Sequence, residues 1–99
     1  MIERSQMLAT IGASRERRRA LVVVPSVITM RAARHYLEDH GADLEYVRFV
    51  LPDELHVVRG KTFAAVAVDS YARMQAREMG RADEFKDLIT SVSQGAGDG

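Results

Sequence analysis

Four groups of side chains in this sequence could do chemistry. Gly60-Lys61-Thr62 ends like a phosphate-binding loop, G-x-x-x-x-G-K-[ST]. In that loop backbone amides cradle phosphates, Lys reaches the terminal phosphate and Thr holds magnesium. The first glycine of the pattern falls on Leu55, and His56-Val57-Val58-Arg59 is bulky where backbone must approach an anion. Gly60 to Thr62 therefore read as a turn. Asp69 closes the apolar run from Phe63 to Val68. A carboxylate there would stand at the carboxyl edge of a buried strand, where open α/β sheets bind ligands and where a carboxylate suits magnesium. The same Asp69 can cap a following helix, which is the plainer reading. Asp69, Ser70, Lys61 and Thr62 make up the candidate nucleotide and magnesium set.

Arg15, Arg17, Arg18 and Arg19 form the one dense basic cluster and could contact nucleic-acid phosphates. Glu16 dilutes it, and no aromatic residue interleaves to stack on bases. His35 and His40 are five residues apart, so a helix would turn them to different faces, and the three histidines give no metal-ligand spacing. No serine sits in a nucleophile-elbow pattern. Glu38-Asp39 and Asp83-Glu84 read as solvated helix faces. No catalytic residue is nominated.

The elements that must position these residues follow from periodicity. Ile2, Met7, Leu8 and Ile11 have helical spacing over residues 2–13. Leu21 to Val24 is β-branched and apolar without alternation, as in a strand covered on both faces, and Pro25 stops it. Ser26 or Thr29 then caps a helix to about His40, with Gly41 as its left-handed end. Glu45 to Leu51 reads as a second strand, residues 53–60 as a helical turn, and Phe63 to Val68 as a third strand. A helix capped by Asp69 or Ser70 runs to Met79, and Phe85, Leu88, Ile89 and Val92 stripe a last helix. The alternation predicts a small three-layer α/β domain over residues 1–94, with about three mostly parallel strands flanked by helices, and a flexible tail at 95–99.

In this order the segments resemble part of a P-loop NTPase core of the helicase and phage terminase type. Leu21-Val-Val-Val-Pro-Ser26 looks like the strand that follows the phosphate-loop helix in those proteins. Thr29 to His40 matches the next helix. Arg59-Gly60 and Phe63 to Asp69, with Tyr71-Ala72 after them, look like the later turn and the strand that ends in Asp-Glu. The resemblance covers roughly residues 5–75. It implies that the first strand and the phosphate loop would lie before residue 5, and that Ser70 stands where the family has its catalytic Glu. Serine cannot act as a general base at neutral pH. The resemblance thus implies a degenerate scaffold lacking its phosphate loop, a phage-type accessory context, and a sheet edge left open to a partner or a second copy.

Composition sets the outer bounds. The 99 residues suffice for one domain, and 46% of them are hydrophobic. Lys plus Arg and Asp plus Glu balance at 14 each, so there is no global pull toward nucleic acid or acidic membranes, and little repulsion between copies. There is no cysteine, no apolar run of membrane-spanning length and no signal-peptide pattern, which fits a cytoplasmic protein, or host cytoplasm if phage-encoded. The sequence leans away from an enzyme and calls for no cofactor. It points to a protein-interaction module, most simply a homodimer. The alternative is a nucleotide- or nucleic-acid-binding protein using Asp69 and Lys61 or the Arg15–Arg19 cluster.

Overall fold

In a computed structural model that describes residues 1–92, three parallel strands form one sheet in the order β2-β1-β3. The strands are β1 (Ala20–Val23), β2 (Val47–Val50) and β3 (Ala65–Val68). Around them lie α1 (Arg4–Arg15), α2 (Val27–Asp39), α3 (Ser70–Glu78) and α4 (Ala82–Val92), with short 3₁₀ turns at Leu44–Tyr46 and Pro52–Val58. This is the α/β architecture expected from the sequence. The tail at 95–99 lies outside the described residues. The segment read as a strand from Glu45 is shorter than expected. The Asp43 side chain accepts the Glu45 amide at 3.2 Å and winds the chain into a 3₁₀ turn before β2.

β1 is central and fully buried, which explains its unbroken apolar run. Its side chains alternate between two cores. Val22 and Val24 pack with Met7 and Ile11 of α1 and Ala33 and Leu37 of α2. Leu21 and Val23 pack on the other face with Leu55, Val58, Ala72, Ala76, Phe85 and Val92. The two crossovers therefore lie on opposite faces. Right-handedness requires this, because β1 to β2 moves one way across the sheet and β2 to β3 moves back. The result is a topological switch point between β1 and β3, the place where sheets of this order open a ligand crevice at their carboxyl ends.

Both sheet edges are blunted. In a parallel ladder alternate residues face the same neighbour. The Asp69 amide bonds the Val23 carbonyl at 2.9 Å, so the Val68 and Ser70 amides face away from β1. The chain's own N-terminal segment takes them. Gln6 Oε1 accepts the Val68 amide at 2.9 Å, and the Met1 carbonyl accepts that of Ser70 at 3.1 Å. On the far side, the Val24 amide bonds the Val50 carbonyl, so Val47, Phe49 and Leu51 face outward. The Leu44 carbonyl accepts the Val47 amide, and Glu54 Oε1 accepts that of Leu51 at 3.0 Å. Among the described residues, the groups of Phe49 and the Val47 carbonyl are what this edge offers a partner strand. Side chains and turns at its ends thus shorten the β2 edge to one residue pair, while on β3 Val66 lies between the covered end and the turn into the strand.

The helix ends fix the loops. Ser26 caps α2, its Oγ accepting the Thr29 amide at 3.1 Å. α2 and α3 close on Gly41 (φ +87°) and Gly80 (φ +71°), with the Ala42 and Arg81 amides reaching back to Leu37 and Ala76 carbonyls at 2.9 and 2.8 Å. α1 ends in the same hydrogen-bond pattern, Arg18 amide to Ala13 carbonyl at 2.9 Å, but its left-handed residue is Arg17 at φ +60°. A Cβ makes that conformation cost about 1 kcal/mol.

Candidate functional site

Sheet polarity separates the candidate residues into two groups. Asp69 and Ser70 follow β3 and stand at the carboxyl edge, at the switch point. Lys61 and Thr62 precede β3 and stand at the amino edge. The four residues of β3, about 13 Å of strand at ~3.3 Å per residue, lie between them. The structure does not bring Lys61 and Thr62 to Asp69. Gly60 (φ +83°) makes a turn that leads into a strand, with the Lys61 amide bonded to the Val58 carbonyl at 3.0 Å. No helix N-terminus follows to hold a phosphate.

Asp69 is buried, its side chain 5% exposed. Its Oδ1 accepts the Tyr71 amide at 2.8 Å, capping α3, and the Met1 ammonium at 2.8 Å. The helix-cap reading of Asp69 is what the geometry shows. The ammonium also reaches Ser70 Oγ at 2.9 Å. One carboxylate oxygen thus holds two donors, a positive group standing beside the carboxylate where a bound cation would.

The surroundings of this edge are apolar. Ser26 and Thr29 open α2 beside it, and Val27 and Ile28 expose their side chains there, Ile28 at 80%. Met1 is 85% exposed and Tyr71, next along from Ser70, 62%. A groove between α1 and α2 continues the surface, lined by the apolar Met1, Ile2, Met7, Ala32 and Ala33 with Tyr36, and by the polar Glu3, Arg4, Thr29, Asp69 and Ser70. Exposed apolar side chains gathered in one place mark contact surfaces rather than polar ligand sites.

The amino edge is different in chemistry. Arg18 and Arg19 precede β1, Lys61 and Thr62 precede β3, and the two segments are tied by the Ala64 amide to the Arg19 carbonyl at 2.8 Å. Arg18, Arg19, Lys61 and Thr62 line one concavity. Arg19, Glu45, Tyr46, Arg48 and Lys61 line an adjoining one. Arg15 ends α1, and Arg17 flanks the concavities without lining them. Sequence reasoning missed Arg48 and Tyr46. An arginine inside the run Val47-Arg-Phe-Val50 was the available signal, since a cation in an otherwise apolar strand must point to water.

The remaining polar residues tie the fold together. Buried Ser14 donates to the Ile11 carbonyl at 2.8 Å and accepts the Asp43 amide at 3.0 Å, joining α1 to the loop after α2. His40 stacks on Tyr36 with ring centres 4.1 Å apart at the end of α2. Among the described residues no three His, Asp or Glu side chains are placed to share a metal ion, and no helix is long and apolar enough to cross a membrane.

No protein-family model, curated protein or solved structure matches this chain.

Proposed function

We propose that this chain is a non-enzymatic protein-interaction module, a degenerate NTPase-like scaffold of phage-accessory type whose ligand edge has become a docking surface. The observation that carries the reading is the carboxyl edge of the β1/β3 switch point. Its buried carboxylate, Asp69, is engaged by the Tyr71 amide and the Met1 ammonium, Lys61 is at the other end of the strand, and Met1, Tyr71 and, at the start of α2, Val27 and Ile28 are exposed apolar side chains on this side of the sheet. A nucleotide hydrolase needs the reverse, a free carboxylate with phosphate-binding groups beside it.

The first occupant is a second copy of this chain. Zero net charge offers little repulsion to self-association, and the exposed edge is apolar enough to be covered by its own like. Light scattering at micromolar concentration is expected to give a dimer. Ile28→Glu and Tyr71→Glu are expected to give monomers that keep the wild-type circular-dichroism spectrum, because both side chains are exposed and leave the cores intact, while the melting temperature loses its dependence on protein concentration. A wild-type monomer at 100 µM would sink self-association. Saturable binding of magnesium–ATP by calorimetry, lost in Asp69→Ala, would sink the non-enzymatic reading altogether.

A further inference from the structure

The amino edge has a chemistry of its own, separate from the carboxyl edge. We propose that Arg18, Arg19, Arg48 and Lys61 form a binding site for the phosphodiester backbone of a single nucleic-acid strand, with Tyr46 as a stacking platform.

The sequence splits these residues among three segments, and the fold gathers them at the amino ends of all three strands. Arg19 enters β1, Arg48 projects from β2 and Lys61 leads into β3. Arg19 and Lys61 line both adjoining concavities, so the cations form one continuous track. Arg19, Arg48 and Lys61 are exposed, and none has a carboxylate within ion-pair distance among the described residues. Arg18 is the paired cation of the set, with Glu16 at 3.1 Å and both side chains largely in water. Among the described residues, Glu45 is the one acidic residue lining the track.

The plain alternative is that cations gather here to complement helix carboxyl ends. It does not account for the set. The carbonyls of Gly12, Ala13 and Ser14 at the end of α1 are already filled by the amides of Glu16, Arg17 and Arg18. Arg48 and Lys61 belong to no helix. A single free phosphate is a poor fit as well, because the cations are spread along an open track rather than closed around a point. Arg18 lines one concavity, Arg48 the other and Arg19 with Lys61 both, an arrangement that a chain of several phosphates can span. Tyr46, half-buried beside Arg48, supplies the aromatic surface that the arginine run itself lacks. Arg17 adds a flanking cation in a left-handed backbone position that glycine fills in the other two helix ends.

Fluorescence anisotropy of a labelled fifteen-residue oligothymidylate tests the site, with the full chain titrated at several salt concentrations. Four phosphate contacts give a log–log salt slope near −3, so binding weakens about fifty-fold between 50 and 200 mM salt. Lys61→Gln and Arg48→Gln each lower that slope by about 0.7. Tyr46→Ala weakens binding roughly tenfold. Glu45→Gln is expected to tighten it, an arm that misfolding cannot imitate. Three results would overturn the proposal. These are no saturation at 50 mM salt, a slope unchanged by Lys61→Gln and Arg48→Gln, or equal competition by polyglutamate at matched charge, which would make the track a site for acidic protein.

Discussion

Replacing Asp69 by alanine separates a structural carboxylate from a functional one by the sign of a stability change. A carboxylate kept for a ligand is a burden on the free fold, and its removal raises stability. A carboxylate that caps a helix contributes to the fold, and its removal lowers stability. Here Oδ1 accepts the Tyr71 amide at 2.8 Å in the first turn of α3. Loss of such a cap costs about 1 kcal/mol, and up to about 2 where the site is buried, as this one is. The Met1 ion pair adds little, because the Met1 side is exposed and water replaces it. The expected loss is therefore about 1–2 kcal/mol. For a chain of this size that lowers the melting temperature by roughly 4–16 °C. Asp69→Asn keeps the cap, since asparagine caps as well as aspartate, and is expected to lose only a small part of that. Thermal denaturation by circular dichroism of the three proteins decides it. A melting temperature for Asp69→Ala at or above wild type would refute the structural role and return Asp69 to the list of ligand groups.

Two further outcomes test the fold where it manages strain and edges. Arg17→Gly is expected to raise stability by roughly 0.5–1 kcal/mol, as glycine relieves the left-handed backbone at φ +60°; an unchanged or lower denaturant midpoint would remove the strain. Gln6→Met keeps the side-chain length but deletes the acceptor for the Val68 amide. Hydrogen exchange at Val68 is expected to accelerate roughly fivefold, the equivalent of about 1 kcal/mol, while Val22 and Val23 in the central strand stay protected. Equal rates at Val68 in both proteins would show that Gln6 does not guard this edge.

Much of the fold was legible because the sequence repeats its instruction at several levels. A short β-branched run without alternation, stopped by proline, calls for a strand covered on both faces, and Leu21 to Val24 are fully buried. Ser26 and Asp69 announced two helices by type and place, and both cap as their chemistry dictates. Gly41 and Gly80 stopped them. What stayed hidden was set by distant contacts. Nothing local marks Gln6 as the cover of β3, or Met1 as the partner of Asp69, 68 residues away. Strand order was equally silent, since β2 precedes β3 in the chain yet lies on the other side of β1. Arg17 misled in the opposite way, because a non-glycine residue gives no warning of a positive φ.

Lys61 and Asp69 were grouped by motif type, a phosphate-loop ending and a strand-terminal carboxylate, and they are eight positions apart. A parallel strand between two residues sends them to opposite ends, whatever the rest of the fold does. The turn into β3 joins the amino edge, where residues entering β1 and β2 also gather. The turn out of it joins the carboxyl edge, with the turn after β1. Polarity therefore sorts the candidate residues into two groups that share no side chain: cations with Tyr46 at one end, a helix-capping carboxylate in a mixed apolar and polar groove at the other. Sites separated by more than about 10 Å with no shared partners act additively. Asp69→Ala should thus leave the oligonucleotide affinity of the amino edge unchanged, and Lys61→Gln should leave the association of the carboxyl edge unchanged. The sequence is read correctly here only when each candidate residue is assigned to an end of its strand before it is assigned to a site.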